Sequence, residues 1–389
     1  MRIAILTSVD GNGGSAATAF HTARVLKTAG WEAVLFAPGD YWATRGRKEG
    51  IEVRALELRR GFHPLSFVND LRAFRAFARS EKPDLVLVQK SPEQWLAFLS
   101  LKLLPRKPAL VRLRGVVTPV KAGLFNRWLH TGFAAVICSA SIIAERYGPV
   151  CSKKKIKLVL EGVDTHRYAP ATKEQKLSAR QTLGLFPNAF YIGTAGRPAP
   201  VKGHDLLIGA FAAAWESIRP PTANPMSPRD PRLVIFSDES RRGPGSYGDL
   251  AEMATRLNIA PHVTLKPGFI EDMRVVYHAL DVYVLPSRGS EGSSRAGLEA
   301  SASGLPLIAS SVGVLPDLIQ DGVTGRLIEP NHLEALKGAL TELFETWPAP
   351  LRWGAAARAR MESELSEAHY ARKLQFALEQ ALDDVRAPR

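Results

Sequence analysis

Residues 281–330, DVYVLPSRGSEGSSRAGLEASASGLPLIASSVGVLPDLIQDGVTGRLIEP, decide the fold that we predict for this chain. The apolar run 282–285 predicts a buried strand. A polar loop follows it, and then a short helix from about Ser294 that ends at Gly304. Apolar residues 305–309 predict a second strand. The order strand, loop, helix, strand predicts one parallel crossover unit.

Two glutamates bracket the loop and helix of this unit, Glu291 in the loop and Glu299 in the helix. The loop of such a unit lies at the carboxyl end of its strand, where open α/β sheets bind ligands. Backbone N–H groups of Gly292, Ser293 and Ser294 at the start of the helix favour an anion. Carboxylates accept hydrogen bonds from sugar hydroxyls. The segment therefore predicts a pocket for a nucleotide sugar.

Two cations follow another predicted strand, residues 191–195, in the segment GRPAPVKGHDLLIGAF. They are Arg197 and Lys202, and a helix begins near His204. Two fixed cations can stabilise the charge that develops on a leaving diphosphate without a metal ion. The order strand, loop, helix predicts that they lie at the same sheet edge as the two glutamates.

Three segments resemble motifs of the retaining glycosyltransferases of family 4, which have the GT-B fold. Residues 281–330 are similar to the E-x7-E signature, and residues 196–203 are similar to a G-R-x4-K-G element. Residues 158–170, LVLEGVDTHRYAP, resemble the hinge NGVD-x3-F-x-P, with Glu161 in place of Asn and Tyr168 in place of Phe.

This resemblance implies an α/β protein with two Rossmann-like domains whose parallel sheets face each other across a cleft. Residues 1–165 would form the acceptor-binding domain and residues 166–365 the nucleotide-sugar domain, with a C-terminal helix, about 366–389, packed back on the first. The implied reaction is a retaining, metal-independent glycosyl transfer of the hexosyltransferase type. The implied co-substrate is a UDP- or GDP-linked sugar, and no further cofactor is expected. The leaving diphosphate would deprotonate the acceptor hydroxyl, and the chain has neither a recognisable nucleophile constellation nor a D-x-D pair.

The resemblance also assigns roles to residues of the second half. Arg197 and Lys202 would bind the diphosphate, Glu299 the ribose, and Glu291 the sugar; the catalytic set is Arg197, Lys202 and Glu291. The other donor-binding residues implied are Gly196, Gly292, Ser293, Ser294, Pro267, Gly268 and Phe269, of which residues 267–269 would lie beside the base.

Positive charge is concentrated in the first half of the chain. The 389 residues carry a net charge of +13, and residues 1–160 hold 26 Lys and Arg against 11 Asp and Glu. Residues 102–157 hold 12 of these basic residues and a single acid, Glu145. This distribution favours an anionic partner for the first half, while a role in solubility is the alternative.

A basic segment, residues 112–130, follows the predicted strand 109–113. Arginine side chains bind phosphate or carboxylate groups bidentately. The segment is similar to a basic element of family members that act on lipopolysaccharide core or other surface glycans, with Gly115 where those members often have a histidine. The resemblance and the charge together predict an acceptor side formed by Gly13, Gly14, Ser15, Arg112, Arg114 and Lys121.

The acceptor that these features predict is an anionic glycan or a lipid-linked glycan of bacterial surface-polysaccharide synthesis. Residues 67–77 place Phe and Leu at helical spacing, with arginines on another face. This pattern predicts a helix packed on a sheet, and the alternative is a helix lying on an anionic membrane surface. We expect a cytoplasmic protein, because no apolar run approaches the roughly 20 residues of a spanning helix and no secretory leader is recognisable. The expected location includes the cytoplasmic face of the inner membrane. Cys138 and Cys151 indicate neither a disulfide framework nor a metal cluster.

Two other functions compete with this prediction. Gly11, Gly13 and Ala16 fit the dinucleotide fingerprint G-x-G-x-x-A, with Asp40 near the place of a ribose-binding acid, as in an NAD(P)-dependent oxidoreductase. That function leaves the cations and glutamates of the second half unexplained. The basic first half also suits a non-enzymatic nucleic-acid-binding protein. Its aromatic residues are spaced as a helix core rather than as a stacking surface, so we predict no nucleic-acid partner.

Overall fold

A computed structural model shows two α/β units. Unit 1 comprises Met1–Glu161 and Glu367–Arg389, and unit 2 comprises Gly162–Ser366. The structure describes residues 1–9, 14–58, 63–102, 104–219, 230–237, 246–268, 270–289 and 291–387.

Unit 1 is built on a seven-stranded parallel sheet. Its strands are Arg2–Leu6 (β1), Glu32–Ala37 (β2), Glu52–Ala55 (β3), Leu85–Val88 (β4), Ala109–Arg114 (β5), Ala135–Cys138 (β6) and Ile156–Leu158 (β7). Their order in the sheet is β3-β2-β1-β4-β5-β6-β7. The helices of the same segment are Gly14–Thr28 (α1), Asp40–Glu49 (α2), Pro64–Ser80 (α3), Ser91–Lys102 (α4), Leu124–Thr131 (α5) and Ser141–Tyr147 (α6).

Unit 2 is built on a six-stranded parallel sheet. Its strands are Phe190–Ala195 (β8), Pro231–Ser237 (β9), Val263–Pro267 (β10), Val282–Leu285 (β11), Leu307–Ser310 (β12) and Arg326–Ile328 (β13), in the order β10-β9-β8-β11-β12-β13. The helices are Lys173–Thr182 (α7), His204–Ile218 (α8), Tyr247–Arg256 (α9), Met273–Ala279 (α10), Arg295–Ala302 (α11), Leu315–Leu318 (α12), Leu333–Glu345 (α13) and Leu351–Glu364 (α14).

The last helix, Glu367–Arg386 (α15), belongs to unit 1. Its buried residues Tyr370, Leu374 and Leu378 join the apolar cluster formed by α1 and one face of the unit 1 sheet. Among the described residues, we find no helix with the length and apolar character needed to cross a bilayer.

Both sheets are buried on two faces, which explains the nearly continuous apolar runs of their strands. Successive residues of β1 show this directly. Ile3 and Ile5 join the cluster on the α1 side, whereas Ala4 and Leu6 join the cluster that contains Phe74 and Phe77 of α3. Alternation along a strand sends neighbouring side chains to opposite faces. The predicted two-unit α/β architecture with parallel sheets is therefore confirmed.

Candidate active site

The site predicted in unit 2 lies at the topological switch point of its sheet, between β8 and β11, where the strand order changes direction. β8 and β11 are parallel neighbours, with Ile192 opposite Val282 and Gly193 opposite Tyr283. The chain continues from β8 to β9 and β10 on one side, and from β11 to β12 and β13 on the other. Because the two connections leave in opposite directions, a crevice forms at the carboxyl ends of these strands, where α/β proteins bind ligands.

An ion pair joins the two loops at this point. The Lys202 ammonium donates to Oε1 of Glu291 over 2.6 Å, and the Ser287 hydroxyl donates to the same oxygen over 2.6 Å. Glu291 is 4% exposed, and Lys202 is partly exposed. The structure thus brings together two residues that the sequence separates by 89 positions. A carboxylate this deeply buried requires a charged partner.

Close backbone contacts fix both partners of the ion pair. Lys202 ends a short 3-10 turn, and the next residue, Gly203, has a φ of 67°. A Cβ atom on Gly203 would lie 2.0 Å from the Pro286 carbonyl oxygen at the end of β11. On the other loop, a Cβ atom on Gly313 would lie 1.9 Å from the carbonyl oxygen of Glu291. Only glycine fits at these two positions.

We expect Gly203→Ala to destabilise the protein, by about 1–3 kcal/mol from the left-handed backbone alone, with a further cost from the clash with Pro286. The expected observation is a lower urea midpoint together with weaker nucleotide binding, because the turn that carries Lys202 must move. Gly338→Ala is the matched control. Gly338 lies in α13 with open space around it, so alanine there should stabilise the helix by up to about 1 kcal/mol. Equal midpoints for the two variants would contradict this explanation.

Arg288 fastens the turn that carries Lys202 to the loop after β11. Its Nη1 and Nη2 atoms donate to the two carboxylate oxygens of Asp205, each over 2.8 Å. Nη1 also donates to the Pro200 carbonyl oxygen over 2.6 Å, and the Arg288 backbone N–H donates to the Val201 carbonyl over 2.8 Å. Burial opposes ionisation of Asp205, but the hydrogen bonds and charge of Arg288 lower its pKa overall. Arg288 is therefore a positioning residue for Lys202.

His204, the first residue of α8, is a buried neutral histidine beside Lys202. Burial, and secondarily the positive charge of Lys202, lower its pKa to about 4. Its Nε2 atom lies 3.6 Å from the position that a Cβ atom of Gly196 would occupy. The side chain thus lies close to the predicted diphosphate loop without adding charge to it.

The folded protein should lose stability as the pH falls from about 6.5 toward 4. The unfolded chain binds a proton at His204 below its ordinary pKa of 6.5, whereas the folded protein takes it up only near 4, so protonation favours unfolding in this window. Thermal unfolding between pH 7 and pH 4.5 measures the effect. His204→Gln should flatten the pH dependence of Tm relative to the unaltered protein, and the same change at exposed His166 should not. An unchanged slope in the His204 variant would argue against this account.

Glu299 lies in a cluster of tyrosines. The Tyr277 hydroxyl donates to its Oε2 over 2.9 Å, and Arg295 donates to its Oε1 over 3.2 Å. Burial and the neighbouring charge of Glu299 raise the pKa of Tyr277 and of Tyr168 above the ordinary value for tyrosine. Tyr168 and Tyr277 pack edge to face with ring centres 5.9 Å apart. The carboxylate is thereby fixed in one orientation.

Sequence analysis did not identify these tyrosines or Arg295 as part of the site. One signal was available for Tyr168, which replaces the phenylalanine of the hinge motif and so adds a hydroxyl group. Tyr277 lies in α10, whose sequence contains nothing that distinguishes a site residue from a core residue.

Ser294 combines two unusual features at the start of α11. Its φ is 43°, in the left-handed region that few residues other than glycine adopt. Its hydroxyl oxygen is buried without a hydrogen-bond partner among the residues that the structure describes. Strain and an unsatisfied polar group tend to occur at functional sites. The helix itself begins at Arg295, one residue later than predicted, and Gly292 and Ser293 lie half-buried in the loop before it.

The other predicted donor-side residues lie further from the ion pair. Arg197 is exposed after β8, and within the described ranges it has no hydrogen-bond or ion-pair partner. Pro267 ends β10, and Gly268 follows with a φ of 107°. β10 is the edge strand, separated from β8 by β9, so these residues share the carboxyl edge without contacting the ion pair. Phe269 lies outside the described residues.

In unit 1, the predicted acceptor-side residues differ in their surroundings. Arg112 is only 2% exposed, and its guanidinium contacts His130 (3.2 Å) and the ring of Tyr147. Burial lowers the pKa of Arg112. We therefore assign Arg112 a structural role in the interior. Arg114 donates to the carbonyls of its own loop, and Lys121 is exposed.

The glycine segment of unit 1 follows β1 in the sequence. Gly14 and Ser15 begin α1. Gly13 lies outside the described residues, as does Gly11 of the alternative dinucleotide fingerprint. Asp40, the acid proposed for that alternative, is the first residue of α2.

Unit 1 also contains a buried acid that the sequence analysis missed. Glu93 of α4 accepts backbone hydrogen bonds from Ser8 (2.5 Å), Gln89 (2.7 Å) and Lys90 (2.8 Å). These donors follow β1 and β4, the neighbouring strands at which the order of the unit 1 sheet reverses. Glu93 therefore holds the two loops of this edge together.

Comparisons with known proteins agree with this geometry. The family "Glycosyl transferases group 1" matches residues 187–346, and the family "Glycosyl transferase 4-like domain" matches residues 13–149. Between them the two matches take in the switch point of unit 2 and most of the unit 1 sheet. The chain belongs to the family 4-like glycosyltransferases. The resemblance stated from the E-x7-E and G-R-x4-K-G segments is thereby confirmed.

One curated relative of this family 4-like chain agrees with the assignment. The chain is 31% identical over 218 residues to a D-inositol 3-phosphate glycosyltransferase of Mycobacterium marinum, a match that covers 56% of the chain and 41% of the relative. The chain thus spans less than half the length of this relative.

Solved structures show the fold. A glycosyltransferase from Rickettsia africae superposes with a TM-score of 0.86 at 19% identity, covering 98% of each chain. Anabaena Alr3699/HepE, solved in complex with UDP and glucose, superposes with a TM-score of 0.80 at 18% identity, covering 97% of this chain and 99% of that one. The fold is the two-domain α/β GT-B fold, as predicted.

Proposed function

We propose that this protein transfers a sugar from a nucleotide diphosphate sugar to a hydroxyl group of an anionic, lipid-linked glycan, with retention of configuration and without a metal ion. The observation that carries the proposal is the Lys202–Glu291 ion pair at the switch point of the unit 2 sheet. Glu299 lies in α11, the helix that follows the Glu291 loop, and accepts hydrogen bonds from Arg295 and Tyr277. Family membership and the UDP bound by the Anabaena protein support a nucleotide-sugar donor.

Donor binding would exchange the partners of the ion pair. A diphosphate competes with Glu291 for the Lys202 ammonium, and exposed Arg197 supplies a second cation. Once released from Lys202, the Glu291 carboxylate can accept hydrogen bonds from sugar hydroxyls, while Ser287 still donates to it. Glu299, fixed by its neighbours, would accept from the ribose hydroxyls.

The chemical step needs no protein nucleophile. The bond between the anomeric carbon and the diphosphate oxygen breaks, and the acceptor oxygen bonds to the same face of that carbon. The acceptor proton passes to the departing diphosphate. Negative charge grows on the leaving group during this step, and preorganised cations stabilise it more in the transition state than in the bound donor.

The charge of unit 1 supports the choice of acceptor. Residues 102–157 carry 12 basic residues and one acid. Half-buried Arg114 ends β5, and exposed Lys121 follows in the loop after it. Basic groups near an anionic membrane contribute about 1 kcal/mol each. We therefore propose that the acceptor belongs to lipopolysaccharide core or another bacterial surface polysaccharide, at the cytoplasmic face of the inner membrane.

A thermal-shift screen tests the donor half of the proposal. UDP or GDP, or their sugars, should raise Tm as ligands that bind only the folded protein do, and NAD should not. The nucleotide that stabilises the protein then selects the donors for an assay of nucleotide release with candidate acceptors. Stabilisation by NAD and by neither nucleotide would favour the oxidoreductase alternative.

A further inference from the structure

Unit 1 contains an apolar cavity that none of the roles above uses. It has a volume of about 370 Å³ and lies between α3 and α4. Its apolar lining includes Leu58, Phe67, Val68, Pro92, Trp95 and Leu99. A cavity of this size is within the range of about 300–1,000 Å³ that small-molecule sites occupy.

One wall of the cavity is built by a buried carboxylate. Asp70 accepts hydrogen bonds from the backbone N–H groups of Glu57 (2.9 Å) and Leu58 (2.8 Å). These bonds hold Leu58 in a left-handed conformation with a φ of 41°. The Ser66 hydroxyl adds a bond of 2.7 Å to the Glu57 carboxylate. The wall is therefore preformed, and a ligand does not have to supply the energy that orders it.

The cavity lies at the ligand-binding edge of the unit 1 sheet. Pro64–Ser80 follows β3 and Ser91–Lys102 follows β4, so the first turns of these helices stand at the carboxyl ends of the strands. Trp95 extends the surface toward α5, because its ring centre lies 6.1 Å from that of Trp128.

The neighbouring helix α5 exposes large apolar side chains. Leu124 is 84% exposed and Phe125 is 79% exposed. They lie on the same helix as Trp128, whose ring is close to Trp95 of the cavity lining, and exposed apolar side chains in such a place are of the kind that marks binding sites on soluble proteins.

Positive charge lies on α3 and α4 beside these apolar side chains. Leu65, Val68, Arg72, Arg75 and Arg79 recur at intervals of three and four residues and so share one face of α3. The face is apolar beside the cavity and carries three arginines beyond it. On the other side, the Lys102 ammonium lies 4.9 Å from the centre of the Trp128 ring. An apolar cavity with cations at its margin complements a hydrocarbon chain that ends in an anionic group.

We propose that this cavity binds the hydrocarbon chain of an anionic amphiphile, with the arginines of α3 contacting its phosphate groups. This assignment rests on the proposed function, under which the amphiphile is the acceptor lipid itself. A single lipid molecule, rather than the membrane surface, is the occupant, because the cavity is recessed between two helices and accommodates one chain, whereas a bilayer contacts only exposed faces.

Binding of dodecyl phosphate to the full chain tests the proposal. The experiment is calorimetric titration below the micelle concentration, with butyl phosphate as the short-chain comparison. We expect dodecyl phosphate to bind at least 10-fold more tightly than butyl phosphate. Val68→Asp, at the cavity rim, should weaken dodecyl phosphate binding at least 10-fold.

Val385→Asp is the matched control, since Val385 is a helix residue of the same unit and is 47% exposed against 42% for Val68. It should bind dodecyl phosphate as the unaltered protein does. Equal affinity for the two chain lengths would overturn the proposal, and so would co-sedimentation with phosphatidylglycerol vesicles without binding of monomeric dodecyl phosphate. UDP affinity of the unaltered protein tests the proposed function separately: dodecyl phosphate binding without UDP binding would support the lipid site and remove its role as an acceptor site.

Discussion

Replacing Lys202 by alanine is expected to lower turnover by at least about 100-fold, the size of effect seen when one preorganised charge-stabilising donor is removed. Lys202 is the cation that the structure places against Glu291 at the carboxyl ends of β8 and β11. In the proposed reaction it meets the diphosphate as negative charge develops. Steady-state kinetics with the donor identified by the screen measures the loss.

A double variant separates two explanations of that loss. Lys202→Ala also leaves a buried carboxylate without its charged partner, which could disturb the site without any role in catalysis. Glu291→Gln removes that charge while keeping the side chain in reach of Ser287. The readout is affinity for UDP or GDP, which lack the sugar that Glu291 is proposed to contact. If Lys202 only neutralised Glu291, the double variant would bind the nucleotide as tightly as Glu291→Gln alone; we expect the double variant to bind it more weakly.

A surface lysine provides the control for the single variant. Lys337→Ala removes an exposed ammonium whose partner, Glu334, is three residues away on α13. Such pairs contribute little to stability, so both turnover and Tm should stay close to those of the unaltered protein. Turnover of Lys202→Ala within a few-fold of this control would remove Lys202 from the catalytic set.

Glu299→Gln is expected to weaken nucleotide binding by roughly 10- to 100-fold, since hydrogen bonds to a charged group contribute about 1.5–3 kcal/mol. The carboxylate is held by Tyr277 and Arg295, so its orientation is set before the ribose arrives. The amide keeps the shape of the side chain but loses its charge. Titration calorimetry with UDP or GDP measures the change.

A deoxygenated nucleotide makes this prediction specific to the ribose. The unaltered protein should prefer the ribonucleotide to its 2′,3′-dideoxy analogue, and Glu299→Gln should show little preference. Glu362→Gln is the control, because Glu362 pairs with Arg358 at the same i,i+4 spacing as Glu299 with Arg295 but is exposed. Undiminished preference in the Glu299 variant would refute contact with the ribose.

Much of unit 2 follows from the sequence because its signals are local. Strand β11 covers the predicted residues 282–285, since an uninterrupted apolar run ending at a proline has few other interpretations. Strand β12 begins at Leu307 rather than at residue 305. The start of α11 moved to Arg295 because Ser294 adopts a left-handed conformation, which side-chain type does not reveal when the residue is not glycine.

The parts that the sequence does not reveal depend on contacts between distant residues. Arg112 is predicted on the acceptor side because of its basic neighbours, yet it is buried against His130, 18 residues later. The Arg288–Asp205 contact spans 83 residues, and Tyr277 reaches Glu299 from a different helix. The apolar cavity likewise forms only where α3 and α4 lie side by side, and the sequence of neither helix alone indicates it.

The central claim is that the donor diphosphate binds at the switch point of unit 2. A crystal structure of the full chain soaked with the UDP or GDP sugar that the screen selects tests it most directly. We expect the diphosphate within hydrogen-bond distance of Lys202 and Arg197, with the ribose hydroxyls on Glu299. A nucleotide bound instead in unit 1, at the start of α1, would contradict the claim.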